Sequence, residues 1–381
     1  MRGLAWLLLV GACSFKSSGS GTKDGSLVDG HEPDSQGVDG HTPDTRPIDS
    51  PAPTDTCVGS GAFEICIPNT QTGTVTLPAT LDTDTDTTVC NKVSLTGSWF
   101  SAGQPTSCIV AGRGITTAGT VAAGSAALVL VAIDGIEIDG VLDVSSHVGS
   151  DLGAGHGLGS CGSGVAPGQD AGGAGGSFMT VGGNGGDVIA VSAGGVPAAA
   201  LLAPPSLLRG GCAAQNGNTG SDGSAVGGAG GGALYVAAGS AIVFGSGAEI
   251  DASGAGGGIS GNNGTGGAGG GTGGMIVLDA PSIDAMVGSI VMANGGGGAQ
   301  GGDNNHDGAP GGEATTPMTP APGGTGPGGG GTGGNGFAGS TQPTGGGNGG
   351  AANAAGGGGG GAGYIHTSTS LGSAQVSPNP S

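Results

Sequence analysis

Between Gly231 and Gly298 the sequence carries one pattern twice. The first copy runs Gly231-Gly-Ala-Leu-Tyr-Val-Ala, Ala241-Ile-Val-Phe, Ala248-Glu-Ile-Asp-Ala-Ser-Gly254, and the second runs Gly273-Gly-Met-Ile-Val-Leu-Asp, Ser282-Ile-Asp-Ala, Ser289-Ile-Val-Met-Ala-Asn-Gly295. Each copy is three short β-prone runs followed by a glycine-rich excursion. At period two, Leu234, Val236, Ile242, Phe244, Ala248, Ile250 and Ala252 share one face, while Glu249 and Asp251 take the other. Ile276, Leu278, Ile283, Ala285, Val291 and Ala293 repeat those places. Neither copy can bury its apolar face alone, so the copies must stack, and three strands in about 21 residues amount to one coil of a parallel β-solenoid. The expected fold class is all-β: a parallel β-helix or solenoid with long glycine-rich excursions, preceded by a disordered tether. The repeat specifies an architecture and leaves the activity open.

Composition supports that choice. The chain has 97 Gly and 21 Pro but only 6 Phe, 2 Tyr and 2 Trp in 381 residues. Each Gly inside a helix costs about 1 kcal/mol relative to Ala, so helices are disfavoured. Too few large side chains exist for a bulky globular core. Seven Lys plus Arg against 27 Asp plus Glu give a formal net charge of −20, which repels nucleic acid.

Strands are also plain upstream, in Cys108-Ile-Val-Ala, Gly114-Ile-Thr-Thr, Ala127 to Ile133, Ile136-Glu-Ile138 and Val141-Leu-Asp-Val-Ser145. The last aligns with the Gly231 copy, Leu142 on Ile250 and Asp143 on Asp251, and so marks a third copy. Gly363-Tyr-Ile-His-Thr-Ser and Ala374-Gln-Val-Ser are a candidate final coil. The excursions after Ser145, Ser253 and Asn294 leave at equivalent points and should emerge along one edge of the stack. Glycine buries no apolar area, and ordering each residue costs about 1–2 kcal/mol, so flexible loops are expected, above all over 299–360. There Pro310, Pro317, Pro320, Pro322, Pro327 and Pro343 remove donors. The rival arrangement packs the excursions as extended polyglycine strands, although no strict Gly-x-x period favours it.

Met1-Arg2, the apolar run Leu4 to Val10 and then Val10-Gly-Ala-Cys13 resemble a bacterial lipoprotein signal peptide with its lipobox. The resemblance implies cleavage before Cys13, a diacylglycerol on its thiol and, with Ser14 following, an outer-membrane address. An ordinary secretory signal ending at Ala12 is the alternative. The apolar run is too short to span a bilayer. This divides the chain into a signal peptide (1–12), an acidic disordered tether (13–56), a cysteine-containing N-terminal cap with the first coils (57–112), and the glycine-rich solenoid (113–381) with loops at 147–230 and 295–361. The tether repeats Val28-Asp-Gly-His-Glu-Pro-Asp34 as Val38-Asp-Gly-His-Thr-Pro-Asp44. Its His31 and His41 read as solvated linker residues, because metal sites need ligands in fixed geometry.

Six cysteines remain after Cys13, an even number that in an exported chain suggests disulfides. Fifteen pairings are possible. Proximity favours Cys57 with Cys66, Cys90 with Cys108, and Cys161 with Cys212.

Signals for chemistry are weak. Gly182-Gly-Asn-Gly-Gly-Asp187-Val-Ile-Ala190 fits the calcium-binding repeat of β-rolls, but a lone copy supplies half a site. Asp82-Thr-Asp-Thr-Asp86 puts three carboxylates on one face of an extended strand; Thr87 and Val93 stand where an EF-hand needs Gly and Glu, so it reads as a solvated acidic edge. No Gly-x-Ser-x-Gly elbow, His-Glu-x-x-His or phosphate-loop lysine occurs. The strongest enzyme reading is a β-helix polysaccharide lyase or glycosidase using Asp134, Glu137, Asp139 and Asp143. Against it, the solenoid body (113–381) offers only Arg113 and Arg209 as cations, and after the signal peptide only Trp99, Tyr235 and Tyr364 could stack on sugars. No metal, cofactor or catalytic residue is expected.

From Gly231 onward, Gly-Gly-Ala-Leu, Ile-Asp-Ala-Ser-Gly, Met-Ala-Asn-Gly-Gly and the polyglycine leading to Gly361-Ala-Gly-Tyr-Ile-His-Thr-Ser resemble the glycine-rich surface lipoproteins of myxobacteria. The resemblance covers about residues 110–381. It implies a lipid-anchored protein of the cell surface, touching the membrane through its N-terminal lipid. The expected role is structural or adhesive, with an envelope or extracellular polysaccharide or another surface protein as partner.

Overall fold

The computed structural model describes residues 55–381, apart from 151, 219–224, 262–263 and 351–352. The expected signal peptide, Cys13, His31, His41 and nearly all of the expected tether lie outside the described residues. The described residues form one compact unit.

Among the described residues the regular elements are strands and two short 3₁₀ turns. The strands are β1 (Thr56–Val58), β2 (Ile65–Ile67), β3 (Thr74–Thr76), β4 (Thr80–Asp82), β5 (Ser107–Gly112), β6 (Gly114–Ala123), β7 (Ala127–Ala132) and β8 (Gly135–Asp143). They continue with β9 (Ala233–Ala238), β10 (Ala241–Phe244), β11 (Glu249–Asp251), β12 (Met275–Asp279), β13 (Ser282–Ala285), β14 (Ile290–Met292), β15 (Tyr364–Thr367) and β16 (Gln375–Ser377). One parallel sheet has the order β15-β12-β9-β7-β5; a second joins β13-β10-β8-β11-β14-β16 with β6, β3 and β4. Among the described strands only β1 and β2 pair antiparallel.

Register follows the repeat. Leu128, Leu234, Ile276 and Ile365 stand in one ladder, and Leu142, Ile250, Val291 and Val376 in another. Phe244 lies between Ile138 and Ala285. The inward residues of the Gly231 copy all belong to one buried apolar cluster between the sheets. Each fully buried Leu, Ile or Phe there stabilises the stack by about 1.5–3 kcal/mol. Gly247 and Gly288, at φ +71° and +91°, make the equivalent corners before β11 and β14, a backbone region that Cβ-bearing residues rarely adopt.

The outer side of the five-stranded sheet is covered as well. Tyr235, Val129, Val131, Ala237 and Met275 on the outer side of the five-stranded sheet are buried in a second apolar cluster with Val58, Ile65, Ile67 and Trp99. Residues from the N-terminal region cover this face. Trp99 stacks on Tyr235 (centroids 5.6 Å, 5° between planes), and Phe63 meets both rings edge-on. The Tyr235 hydroxyl donates to Phe63 O (3.0 Å). Within the same region β3 and β4 stack on β6, and Asn91 N–H donates to Ile109 O (2.8 Å) at the free edge of β5. Sequence alternation could not reveal this cover, because it comes from residues far away in the chain.

A correction concerns the excursions. They are packed segments bonded to one another through their backbones, including the 299–360 region expected to be flexible. Gly173 and Gly176 N–H donate to Gly267 and Gly270 O (2.9 and 3.0 Å); Gly267, Gly270 and Gly273 N–H donate to Ala355, Gly358 and Gly361 O (2.8, 2.9 and 3.2 Å). Gly357 and Gly360 N–H donate to Ala299 and Gly296 O in the opposite sense (both 2.8 Å). Bonds recur at every third residue, which is the period of a polyproline II helix. None of the glycines in 170–176, 266–274, 295–302 or 354–361 takes a positive φ, as that left-handed helix requires. Such a helix makes no internal hydrogen bonds, so each segment must satisfy its amides and carbonyls on its neighbours. Glycine is needed because neighbours touch. A Cβ on Gly357 would fall 1.9 Å from Ala268 O, and one on Gly270 would fall 2.1 Å from Gly296 O.

The strand stack sets up this array. Ser146 N–H donates to Ser253 O (3.0 Å) and Gly254 N–H to Asn294 O (2.9 Å), so the exits are stacked. On the return, Gly231 N–H donates to Thr272 O (2.9 Å) and Gly273 N–H to Gly361 O. Outgoing and returning segments therefore inherit the strand spacing of about 4.8 Å. The prolines do not loosen the array. Their fixed φ near −65° suits polyproline II; Pro310, Pro322 and Pro327 sit exposed on its rim, and Pro322 O still accepts from Gly312 N–H (2.8 Å).

Candidate functional site

The ends of β8 and β11 place Asp143 and Asp251 side by side in register. In both, Oδ1 accepts from the N–H of the serine two residues on, Ser145 or Ser253 (2.8 Å each), a local turn that ends the strand. His147, two residues past Ser145, turns back so that Nε2 lies 3.2 Å from Asp143 Oδ2 and Nδ1 lies 2.9 Å from Glu313 Oε2. Val148 N–H donates to Glu313 Oε1 (2.5 Å). The imidazole thus joins the first excursion to the third.

Electrostatics follow from this geometry. Hydrogen bonds to Asp143 and then Glu313 outweigh burial and raise His147 to about 10, so the ring is an imidazolium at neutral pH. The His147 hydrogen bond lowers Glu313. Burial works to raise Asp143, but hydrogen bonds from His147 and Ser145 hold it low. Asp251, only 9% exposed, is pushed up to about 7 by burial, reinforced by Asp143 and Glu249 despite its bonds to Ser253. Burial also raises Glu249. Carboxyls held apart in acidity beside a charged imidazole are the raw material of acid–base chemistry. Here the high-pKa member is sealed inside, and the imidazole is fully engaged as an ion-pair latch.

The acids singled out from sequence do not converge. Asp134 pairs with Arg113 (2.8 Å) on the surface, Glu137 points outward, and Asp139 N–H bonds Thr117 Oγ1 (3.2 Å). Asp143 alone joins the cluster. His147 and Glu313, its essential partners, carry no sequence signal, being 166 residues apart.

Other candidates have structural duties. Asp82, Asp84 and Asp86 do not line one extended face, because β4 ends at Asp82 and a turn follows. Asp84 receives Ser125 and Ala126 N–H (2.8 and 3.0 Å), and Asp82 receives Asp84 N–H (2.9 Å). In the calcium-like stretch, Gly183 and Gly186 N–H donate to Gly359 and Gly356 O, and Asp187 Oδ1 receives Gly194 N–H (2.7 Å). Those glycines serve the array. Cys57, Glu64 and Cys66 lie close enough for a metal, but the two sulfurs are bonded to each other. Arg209 lies over the Phe178 ring (4.8 Å) and donates to Cys161 and Cys212 Sγ (3.4 and 3.5 Å). Tyr364 is buried against His366.

Disulfides join Cys57 to Cys66, Cys90 to Cys108, and Cys161 to Cys212, each the pair nearest in sequence. Three such bonds point to an oxidising, exported environment. No helix among the described residues is long and apolar enough to cross a membrane. Comparison with known protein families, curated proteins and solved structures finds no match to this chain.

Proposed function

We propose that this is an exported, lipid-anchored protein of the cell envelope, attached through a diacylglycerol on Cys13, standing off the outer membrane on the 13–56 tether and acting as a structural or adhesive element. We read its body as a parallel β-solenoid, supported by the in-register stacking of successive copies. The observation that carries the role is the glycine array, a projection bonded through its own backbone that uses hardly any charged or aromatic side chain. Such a framework suits holding and presenting a surface more than turning over a substrate. Its partner would be an envelope or extracellular polysaccharide or another surface protein; the charge of −20 disfavours nucleic acid. The sequence resemblance to glycine-rich surface lipoproteins of the myxobacterial type leads the same way.

A β-helix polysaccharide lyase or glycosidase is the second reading, favoured by the Asp143–His147–Glu313 cluster. Weighing against it, Trp99 and Tyr235 stack on each other in the core and Arg209 lies against a disulfide, so none is free to grip a sugar. Metabolic labelling with a radioactive fatty acid tests the anchor: label is expected in the native chain and lost in Cys13→Ala, and equal labelling of both rejects it. Turnover of an acidic or neutral glycan that disappears in Asp143→Asn would reverse the order of the two readings.

A further inference from the structure

Just after β8 the chain begins one more row of the array and then leaves it. Gly232 N–H donates to Val144 O (2.9 Å), Ser146 N–H donates to Ser253 O (3.0 Å), and Ser146 Oγ donates to Gly230 O (2.7 Å). Residues 144–146 therefore lie between segments 225–232 and 252–259 as a member of the array. His147 then turns to Asp143 and Glu313, and the returning Gly153 N–H bonds back to Ser146 Oγ (2.9 Å). Where the row would have continued, a groove of about 550 Å³ runs past His147 and Leu152 along the backbones of Val226, Ala229, Gly256 and Ile259.

The walls of this groove are set for a chain. At three residues per turn, each backbone group repeats its direction every third residue. Gly232 N–H faces the row, so Ala229 and Val226 N–H face its continuation. Gly230 O and Ser253 O accept from Ser146, so Gly227 O and Gly256 O look the same way. None of these four continuing groups has a backbone partner among the described residues. Donors and acceptors thus line both walls with the period of an extended left-handed polypeptide.

We propose that the groove binds an extended glycine-rich segment of another protein, docked in the polyproline II conformation as the next row of the array. Its chemistry is dictated by the lattice. Elsewhere in the array, neighbouring backbones approach so closely that a Cβ on Gly270 or Gly357 would fall 2.1 or 1.9 Å from a carbonyl oxygen, so an incoming row must be mostly glycine too. Val226 and Ile259, 66% and 60% exposed, offer apolar contact at the mouth for the occasional larger residue. This chain's own described glycine segments are already bonded inside the array, and we assign the incoming row to a second protein. The mode is the polyproline-type counterpart of adding a strand to a sheet edge. It extends beyond the envelope role and does not depend on lipid at Cys13.

The test is titration of the full chain, ¹⁵N-labelled, with a synthetic peptide repeating Gly-Gly-Asn. The Val226 and Ala229 amide resonances are expected to shift, with their hydrogen exchange slowed by roughly tenfold or more. Ala229→Pro removes one groove-facing donor while keeping a φ that the segment already uses. Its melting temperature should match the native chain, and its peptide affinity should be roughly fivefold to tenfold weaker, the loss of one hydrogen bond. Absence of shifts at millimolar peptide, or shifts confined to other residues, overturns the proposal. Unfolding of Ala229→Pro would overturn it as well, because that amide would then serve the fold. So would concentration-dependent shifts of these amides without peptide, which would make a second copy of this chain the occupant.

Discussion

The strand stack and the glycine array are built from the same sequence repeats and held together by opposite means. In the stack, Leu128, Leu234, Ile276 and Ile365 are ordered by burying side chains against one another. In the array, Gly270 bonds Gly358 and lies so close to Gly296 that no side chain would fit. Ordering either region costs about 1–2 kcal/mol per residue. The stack offsets that cost with apolar area, about 25 cal/mol for each Å² removed from water. The array offsets it with dense backbone bonding, each bond contributing about 0.5–1.5 kcal/mol net, on a template of stacked exits and returns that the strands supply. A chain nearly without side chains can thus be ordered, provided another region fixes its spacing first.

Amide hydrogen exchange probes this comparison most strongly. Residues 295–302 and 354–361 should be protected to a degree comparable with 233–238, orders of magnitude above a free peptide. Rapid exchange throughout 295–361 would return those residues to the status of loops and end the comparison.

Substitutions sharpen it on a scale of several kcal/mol, read by chemical denaturation. Phe244→Ala in the stack should cost about 3–5 kcal/mol through lost burial and a cavity. Gly357→Ala adds a single methyl 1.9 Å from Ala268 O and should cost about 1–3 kcal/mol or more, a reversal of the usual harmlessness of alanine. Gly350→Ala, where a Cβ meets nothing within 4 Å, should change stability by no more than about 0.5 kcal/mol. Equal, small effects at Gly357 and Gly350 would mean that the array is not close-packed.

The smallest effect concerns the latch between the two regions. His147 is raised from 6.5 to about 10 on folding, so between those values the folded chain holds a proton that the unfolded chain has released. Its contribution is complete below pH 6.5 and is lost as pH rises towards 10. Because the side chains of His147 and Glu313 are about one-third exposed, solvent screening limits this to on the order of 1 kcal/mol. Asp251, raised from 3.8 to about 7, has the same sign in a lower window, favouring the fold most below pH 4 and less as pH climbs to 7. Melting temperature followed from pH 7 to 10 should fall in the native chain and stay level in His147→Gln. Parallel curves for the two would remove the latch.

What could be read in advance follows the range of each interaction. The ladders were legible because alternation at period two is local, and Ile250 over Leu142 needs only two aligned copies. The disulfide pairs were legible because nearness in sequence coincided with nearness in space. In the array, Gly176 bonds Gly270, Gly273 bonds Gly361 and Gly360 bonds Gly296, across different gaps and in both directions, so no repeat of fixed length records them. The prolines of 299–360 misled for a related reason. Loss of a donor suggests disorder when the chain is considered alone, but on the rim of an array that donor has no duty, and the fixed φ is an advantage.

The sequence by itself determined the parallel stacking of like copies, the positions where excursions leave, and the oxidising environment, because periodicity and cysteine count act locally or through composition. Tertiary structure alone decided three matters: that the excursions are ordered, that the outer face of the five-stranded sheet is covered, and that His147 joins Asp143 to Glu313. Each depends on groups brought together from distant parts of the chain. A glycine shows in sequence only the absence of a side chain; whether that absence means freedom or close contact is settled by what stands 2 Å from its missing Cβ.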